Sequence, residues 1–276
     1  MAVKIVTDST SDMPPELAAE LGVTVVPLTV FFGDEAFKDG IDLTHDEFFQ
    51  RLATSPVSPR TSQPSPGDFV EVYKSLTEQG HDVVSIHVSD KLSGTMNSAR
   101  SAVLELPSAK IELVDTQLTS MAMTLIARAA AVAANGGATV EEVARVAEQA
   151  GSKIDLFFVL DTLEYLHKGG RIGKAAALFG GLLSIKPVLK MVDGEVHPHE
   201  KVRTRTKALL RMREIAAEGA PYEDIAFIHE ASEEDVASFV EFLQPLSKAP
   251  VIAGRIGSVV GAYTGPGVVG FALRRA

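Results

Sequence analysis

The chain has 276 residues, 46% of them hydrophobic, and a formal net charge of −10. That length and apolar content suffice for a sizeable core, in one large domain or two modest ones. The lack of cysteine excludes disulfides, thiolate metal sites and cysteine nucleophiles, the acidic balance argues against nonspecific binding to nucleic acid or an anionic lipid surface, and no run approaches the roughly 18 apolar residues of a membrane span.

In chain order, VKIVTDS (3–9) predicts a strand ending in polar residues, with no apolar leader segment ahead of it. A cytoplasmic location is expected. Asp12 is expected to cap a helix over 14–21. VTVVPLTVFF (23–32) is a second strand-like run, and Pro27 must lie at an edge or mark a change of direction. Thr44 and Glu47 fit a capping box, and Ser65 to Asp68 start another helix leading to 79. DVVSIHVS (82–89) predicts a buried strand, 94–104 a helix, and IELVD (111–115) a strand. Two Ala-rich helices follow, about 118–134 and 140–150, the second opened by a Thr139/Glu142 capping box. Strands alternating with helices predict a parallel sheet covered on both faces.

After Gly151 the pattern changes. LFFVLDTL (156–163) is apolar, and Asp193–Gly194 between two strand-like runs marks a hairpin. Segments 224–232 and 249–263 read as strands, with helices near 204–218 and 233–245. The expectation is an α/β chain of two domains. Residues 1–153 form an N-terminal α/β domain with a parallel sheet; residues 154–276 form a C-terminal α+β domain with a mostly antiparallel sheet. No flexible linker separates them.

Several segments carry more polar groups than turns need. TDSTSD (7–12) is a run of hydroxyls and carboxylates directly after a strand, where a parallel sheet faces its ligand crevice. PRTSQPSPGD (59–68) offers Thr61, Ser62, Gln63 and Ser65 on a proline-stiffened loop. VSDKLSGTMNSAR (88–100) gathers Ser89, Ser93, Thr95, Asn97 and Ser98 at a helix start, with Gly94 allowing close backbone approach. AYTGPGVVG (262–270) adds Thr264 and a tight turn. Lys168, Arg171 and Lys174 form a basic cluster in an acidic chain, suited to docking. There is no GxSxG elbow, phosphate loop or HExxH. His197 and His199 alternate about Pro198 and read as exposed, so no metal is expected.

Taken together, these segments resemble the DegV family. TDSTSD, TSQPSPGDF, LSGTMNSAR, LHKGGRIGK with GLLSIKPVL, DGEVHPHEKVR and GAYTGPGVVG are similar to its motifs, in order along nearly the whole chain. The resemblance implies a bacterial carrier of two α/β domains with a fatty acid between them. A partner kinase uses ATP to phosphorylate the bound carboxylate, and the acyl phosphate feeds phospholipid synthesis. No cofactor is implied and the carrier has no catalytic machinery of its own. Carried over by position, the ligand-binding residues are Thr61, Ser62, Ser93, Gly94, Tyr263 and Thr264. Arg171, Lys168, Lys174 and Arg203 fall to kinase docking. Tyr263 departs from the His that the family often has there; its hydroxyl can still donate to a carboxylate.

An acyl chain of roughly 15 methylenes gains on the order of 12 kcal/mol on burial, before the costs of binding. That calls for a long apolar channel, which runs 25–32, 156–163, 180–189 and 268–273 can supply. The stretch 175–183 is a candidate for transient membrane contact. The competing enzyme reading is a serine hydrolase or phosphotransferase acting on a small acyl substrate, with Ser93 or Ser9 as nucleophile. Its base would be His87, whose apolar neighbours place it in the core. A sugar- or nucleotide-binding module is a third reading, against which the missing Gly-rich phosphate loop counts.

Overall fold

The computed structural model describes residues 2–179, 185–230 and 233–276, with the backbone alone for 233–235. The first half runs β1 (Val3–Asp8), α1 (Pro15–Leu21), β2 (Val23–Val26), β3 (Thr29–Phe32), β4 (Glu35–Lys38), α2 (His45–Thr54), β5 (Arg60–Ser62), α3 (Pro66–Thr77), β6 (Asp82–His87), α4 (Thr95–Glu105), β7 (Ile111–Asp115), α5 (Met121–Asn135) and α6 (Val140–Ser152). The second half runs β8 (Ile154–Val159), α7 (Glu164–Lys168), β9 (Val188–Val192), β10 (Glu195–Glu200), α8 (Arg205–Glu218), β11 (Asp224–His229), α9 (Glu233–Leu243), β12 (Ile252–Arg255), α10 (Ser258–Thr264) and β13 (Val269–Arg274).

The first sheet has the order β2-β1-β6-β7 with every pair parallel. Helices on its faces bury β6 almost throughout, which is why its sequence is a continuous apolar run. The second sheet has the order β10-β9-β8-β13-β11-β12, antiparallel except for β11 with β12. The α/β class with one parallel and one mostly antiparallel sheet is therefore as the sequence predicts. Pro27 divides its run into β2 and β3, which enter different sheets; β3 joins β4 and β5 in a small antiparallel sheet.

Helix α5 lies between the two large sheets. Met121 to Ala127 are buried on every side, so the first two turns of this helix have no solvent face. One apolar cluster runs from Val84 and Ile86 through α5 to Ala226, Ile228 and Ala272. On the same helix Arg128 reaches Asp224, which is 1% exposed and is also gripped by Arg274. Turn residues Asp193 and Gly194 both have positive φ, 48° and 79°, as a tight hairpin demands. The Gly194 carbonyl accepts a hydrogen bond from Ser89 Oγ at 2.9 Å, joining the hairpin to the end of β6.

Two sequence expectations fail here. Asp12 does not cap α1; Pro14 holds that place, and Asp12 adopts a left-handed conformation with φ 50°. The run 249–263 is not one strand. β12 ends at Arg255, and α10 begins at Ser258 despite its β-branched Val259 and Val260. Long-range contacts decide this: Asp39 accepts hydrogen bonds from Ser258 N and Ser258 Oγ, meeting donors that open the helix, and Asp12 Oδ1 accepts from Gly257 N at 2.9 Å.

Burial holds the carboxyl groups of both Asp12 and Asp39 above the usual carboxylate range, against the lowering effect of their hydrogen bonds. Their protonated forms therefore stabilise the fold below the unfolded value of about 4, and that contribution is lost as pH rises through the raised folded values. Asp12→Asn cannot ionise and keeps an acceptor for Gly257. Its stability relative to the parent chain, measured by urea unfolding, should rise between pH 4 and pH 8. Parallel pH profiles for the two proteins would contradict the assignment.

Candidate ligand-binding site

In the parallel sheet the chain leaves β1 for β2 on one side and later adds β6 on the other. That reversal opens a crevice beyond the carboxyl ends of β1 and β6. A narrow cavity of about 620 Å³, counting its open mouth, lies there. Thr10 follows β1, Val88, Leu92 and Ser93 follow β6, and Thr119 follows β7; all five line it. The second half closes it with Phe158, Leu166, Met191, Val196, Val259 and Val260. The wall is thus mostly apolar, and its polar groups are hydroxyls and one guanidinium.

The polar groups come from distant parts of the chain. Thr61 on β5 and Tyr263 on α10 share a hydrogen bond of 2.5 Å between their hydroxyls. One proton serves that bond, so the pair retains one O–H to donate. Ser93 Oγ lies 2.9 Å from Thr95 Oγ1. Thr95 is fully buried, so with its proton in that bond the Ser93 O–H is left for the cavity. Arg171 follows α7 and stands over the Tyr263 ring, 4.8 Å from its centre. Its Nε donates to Leu92 O at 3.0 Å and its Nη1 to Gly169 O at 2.7 Å, leaving Nη2 free among the described residues. Two hydroxyl protons and one arm of a cation, in the wall of an otherwise apolar cavity, suit an anion carried on an apolar body.

Thr61, Ser93, Tyr263 and Thr264 all line this cavity, but Thr264 Oγ1 donates to Val260 O in its own helix at 3.2 Å. Ser62 is exposed, because strand alternation turns it away from the face of Thr61. Gly94 lies against Gln63: a Cβ at 94 would collide with the Gln63 carboxamide, which also donates to Ser98 Oγ at 3.1 Å. Lys168, Lys174 and Arg203 are exposed, and Lys168 pairs with Glu164 at 2.7 Å. Arg171, assigned by the sequence to docking, sits in the cavity wall. Of the apolar runs, 25–32 contributes Leu28 and 156–163 contributes Phe158, while 268–273 is core and contributes nothing to the wall. Residues 180–184 lie outside the described residues. Sequence reasoning marked Thr10 only within the TDSTSD run and missed the parts played by Thr119, Met191 and Val196; only the hydroxyls carried a signal, since apolar wall and apolar core look alike in a sequence.

His87 is fully buried behind this site. Tyr73 donates to Ser85 Oγ, Ser85 meets His87 Nε2 at 2.8 Å, and His87 Nδ1 lies 3.0 Å from Asp8 Oδ2. Asp8 Oδ1 accepts from Thr10 N and Thr10 Oγ1. A consistent set of protons runs Tyr73 to Ser85 to His87 to Asp8, with no free position on the imidazole. The histidine that a serine nucleophile would need is thus engaged on both nitrogens, away from Ser93.

The Thr61–Tyr263 bond is testable by itself. Thr61→Val and Tyr263→Phe should be non-additive in unfolding free energy by about 1 kcal/mol. Additivity within about 0.3 kcal/mol would mean that the two hydroxyls do not interact.

A family model described as an uncharacterised protein, DegV family, matches residues 2–276. A DegV domain-containing protein of Streptomyces coelicolor is 42% identical, aligned over 97% of this chain and 96% of its own. Among solved structures, a fatty-acid-binding DegV family protein of Thermus thermophilus superposes with a TM-score of 0.91 at 36% identity, covering 100% of both chains. DegV of Bacillus subtilis, described as a fatty acid binding protein, gives a TM-score of 0.89 at 31% identity over 100% of both chains. Matched from end to end in sequence and in architecture, the chain belongs to the DegV family.

Proposed function

We propose that the chain binds a long-chain fatty acid in this cavity and is a carrier, not an enzyme. The acyl chain lies along Leu28, Val88, Phe158, Leu166 and Met191, and the carboxylate meets Ser93, the Thr61–Tyr263 pair and the free arm of Arg171. The observation that carries the reading is the chemistry of the wall: apolar along its length, with neutral donors and one cation, and neither carboxylate nor histidine among the described residues. The fatty-acid-binding relatives support the same ligand. In this reading two lobes, 1–153 and 154–276, hold the lipid between them.

The carrier presents the carboxylate to an ATP-dependent fatty acid kinase, which forms the acyl phosphate for phospholipid synthesis in the cytoplasm. A complete Arg fork would engage both carboxylate oxygens. Here main-chain carbonyls occupy two of the arginine's three nitrogens, so one carboxylate oxygen stays open to attack a phosphate. Arg171 then holds the acid group, and the exposed Lys168, Lys174 and Arg203 are the cations left for docking. The hydrolase reading, with Ser93 or Ser9 as nucleophile, is disfavoured: His87 is sealed in its own network, and Ser9 Oγ accepts from Leu28 N at 3.1 Å. Of the stretch 175–183, only 175–179 is described, and Phe179 there is exposed and stacked on His167. No helix of the described residues is long and apolar enough to cross a membrane.

Native mass spectrometry of the purified chain should reveal a co-purifying long-chain acid. Thr61→Val with Ser93→Ala should weaken binding on the order of a hundredfold and abolish acyl phosphate formation with the kinase and ATP. Arg171→Ala should weaken binding as well, whereas alanine at Lys168, Lys174 and Arg203 together should leave binding intact and slow phosphorylation. A chain that neither carries nor takes up any fatty acid would refute the reading.

A further inference from the structure

Met191 stands in the wall of two voids. One is the cavity described above; the other, about 730 Å³ counting its open mouth, lies among Val114, Leu118, Gly151 and Ile154. Among the described residues Met191 alone lines both. Strand alternation explains its position. On β9, Leu189 and Met191 face the core shared with the first half, while Val188 faces the opposite side, in the cluster that holds Ala208 and Met212 of α8. Met191 is 8% exposed, so its side chain fills the partition. Methionine is unbranched and turns about three side-chain bonds, so this partition yields without any movement of backbone.

Resting on the fatty-acid reading, we propose that Met191 sets the length of acyl chain the protein accepts. In place, it ends the apolar channel; turned aside, it joins the two voids and admits a longer tail. The far void also fixes which end of the lipid can enter. Asp115, Glu148 and Asp193 line it, so it repels a carboxylate and receives only hydrocarbon. The acid group accordingly stays at the end marked by Arg171. Val114, Leu118, Ala147 and Ile154 are the apolar part of that void, and the added methylenes would lie against them.

The test is the dissociation constant for a series of saturated fatty acids of increasing length. Each methylene taken out of water is worth about a fourfold gain in affinity. For the parent chain the gain should stop where the tail meets the partition. Met191→Ala removes the thioether and should move that limit outward by about two to three carbons. The acid two carbons beyond the parental limit then gains on the order of tenfold relative to the acid at that limit. Met191→Phe thickens the partition and should move the limit inward, which keeps the proposal testable if the alanine variant does not fold. An unchanged limit in both variants, with binding retained, overturns the proposal alone. Failure of the parent chain to bind any acid overturns the fatty-acid reading, and this proposal with it.

Discussion

The site depends on how α10 is docked. Asp12, just after β1, and Asp39, just after β4, accept hydrogen bonds from the backbone of Gly257 and Ser258. A Cβ on Gly257 would crowd the Asp12 carboxylate, so the backbone itself fills the gap between the two acids. This contact fixes the start of a helix that ends at Thr264 and brings Tyr263 to Thr61, 202 positions away in the chain. Burying two carboxyl groups for this purpose carries a desolvation cost, visible in their raised pKa values. Apolar packing could hold the helix as firmly. What the acids add is direction, because each accepts from particular donors and so sets the register of α10.

Around that joint the two halves contribute different chemistry. The parallel sheet ends in loops at one edge, and those loops supply Thr10, Ser93 and Thr119. The antiparallel sheet and its hairpin supply Phe158, Met191 and Val196. On the proposed reading, a ligand between them would have its head group among hydroxyls and its body against hydrocarbon. The arginine is the exception that fits: guanidinium tolerates partial burial when its N–H groups find carbonyls, and Leu92 O and Gly169 O supply them. Behind the wall, the Asp8–His87–Ser85 arrangement has the order of a catalytic triad yet none of its access. Here it ties β1 to β6 and holds the turn that bears Thr10.

Local signals were legible in the sequence. The capping boxes at Thr44/Glu47 and Thr139/Glu142 and the helix start at Ser65–Asp68 are all formed, because each lies within four residues and needs no outside partner. The Asp193–Gly194 hairpin and the break at Pro27 follow equally from local backbone chemistry. The polar clusters after β1 and β6 supply Thr10 and Ser93 to the cavity wall. What failed was decided at long range. The run 249–263 carries β-branched residues, and Asp12 and Asp39, more than 200 positions earlier, fix the start of the helix within it. The close approach of Gln63 to Gly94, from another segment, carries no signal in the sequence. Arg171 suggested a surface because an unpaired buried cation is costly; its carbonyl partners could not be foreseen from spacing.

The central claim is that an acid group rests between the Ser93 hydroxyl and the Thr61–Tyr263 pair, with its tail running toward Met191. A crystal structure of the chain with a bound long-chain fatty acid tests it most directly. The account predicts one carboxylate oxygen within hydrogen-bond reach of these hydroxyls or of Arg171, the other open to the mouth, and the terminal methyl beside Met191. A lipid lying in the reverse sense, or seated elsewhere on the molecule with this cavity unfilled, would contradict it.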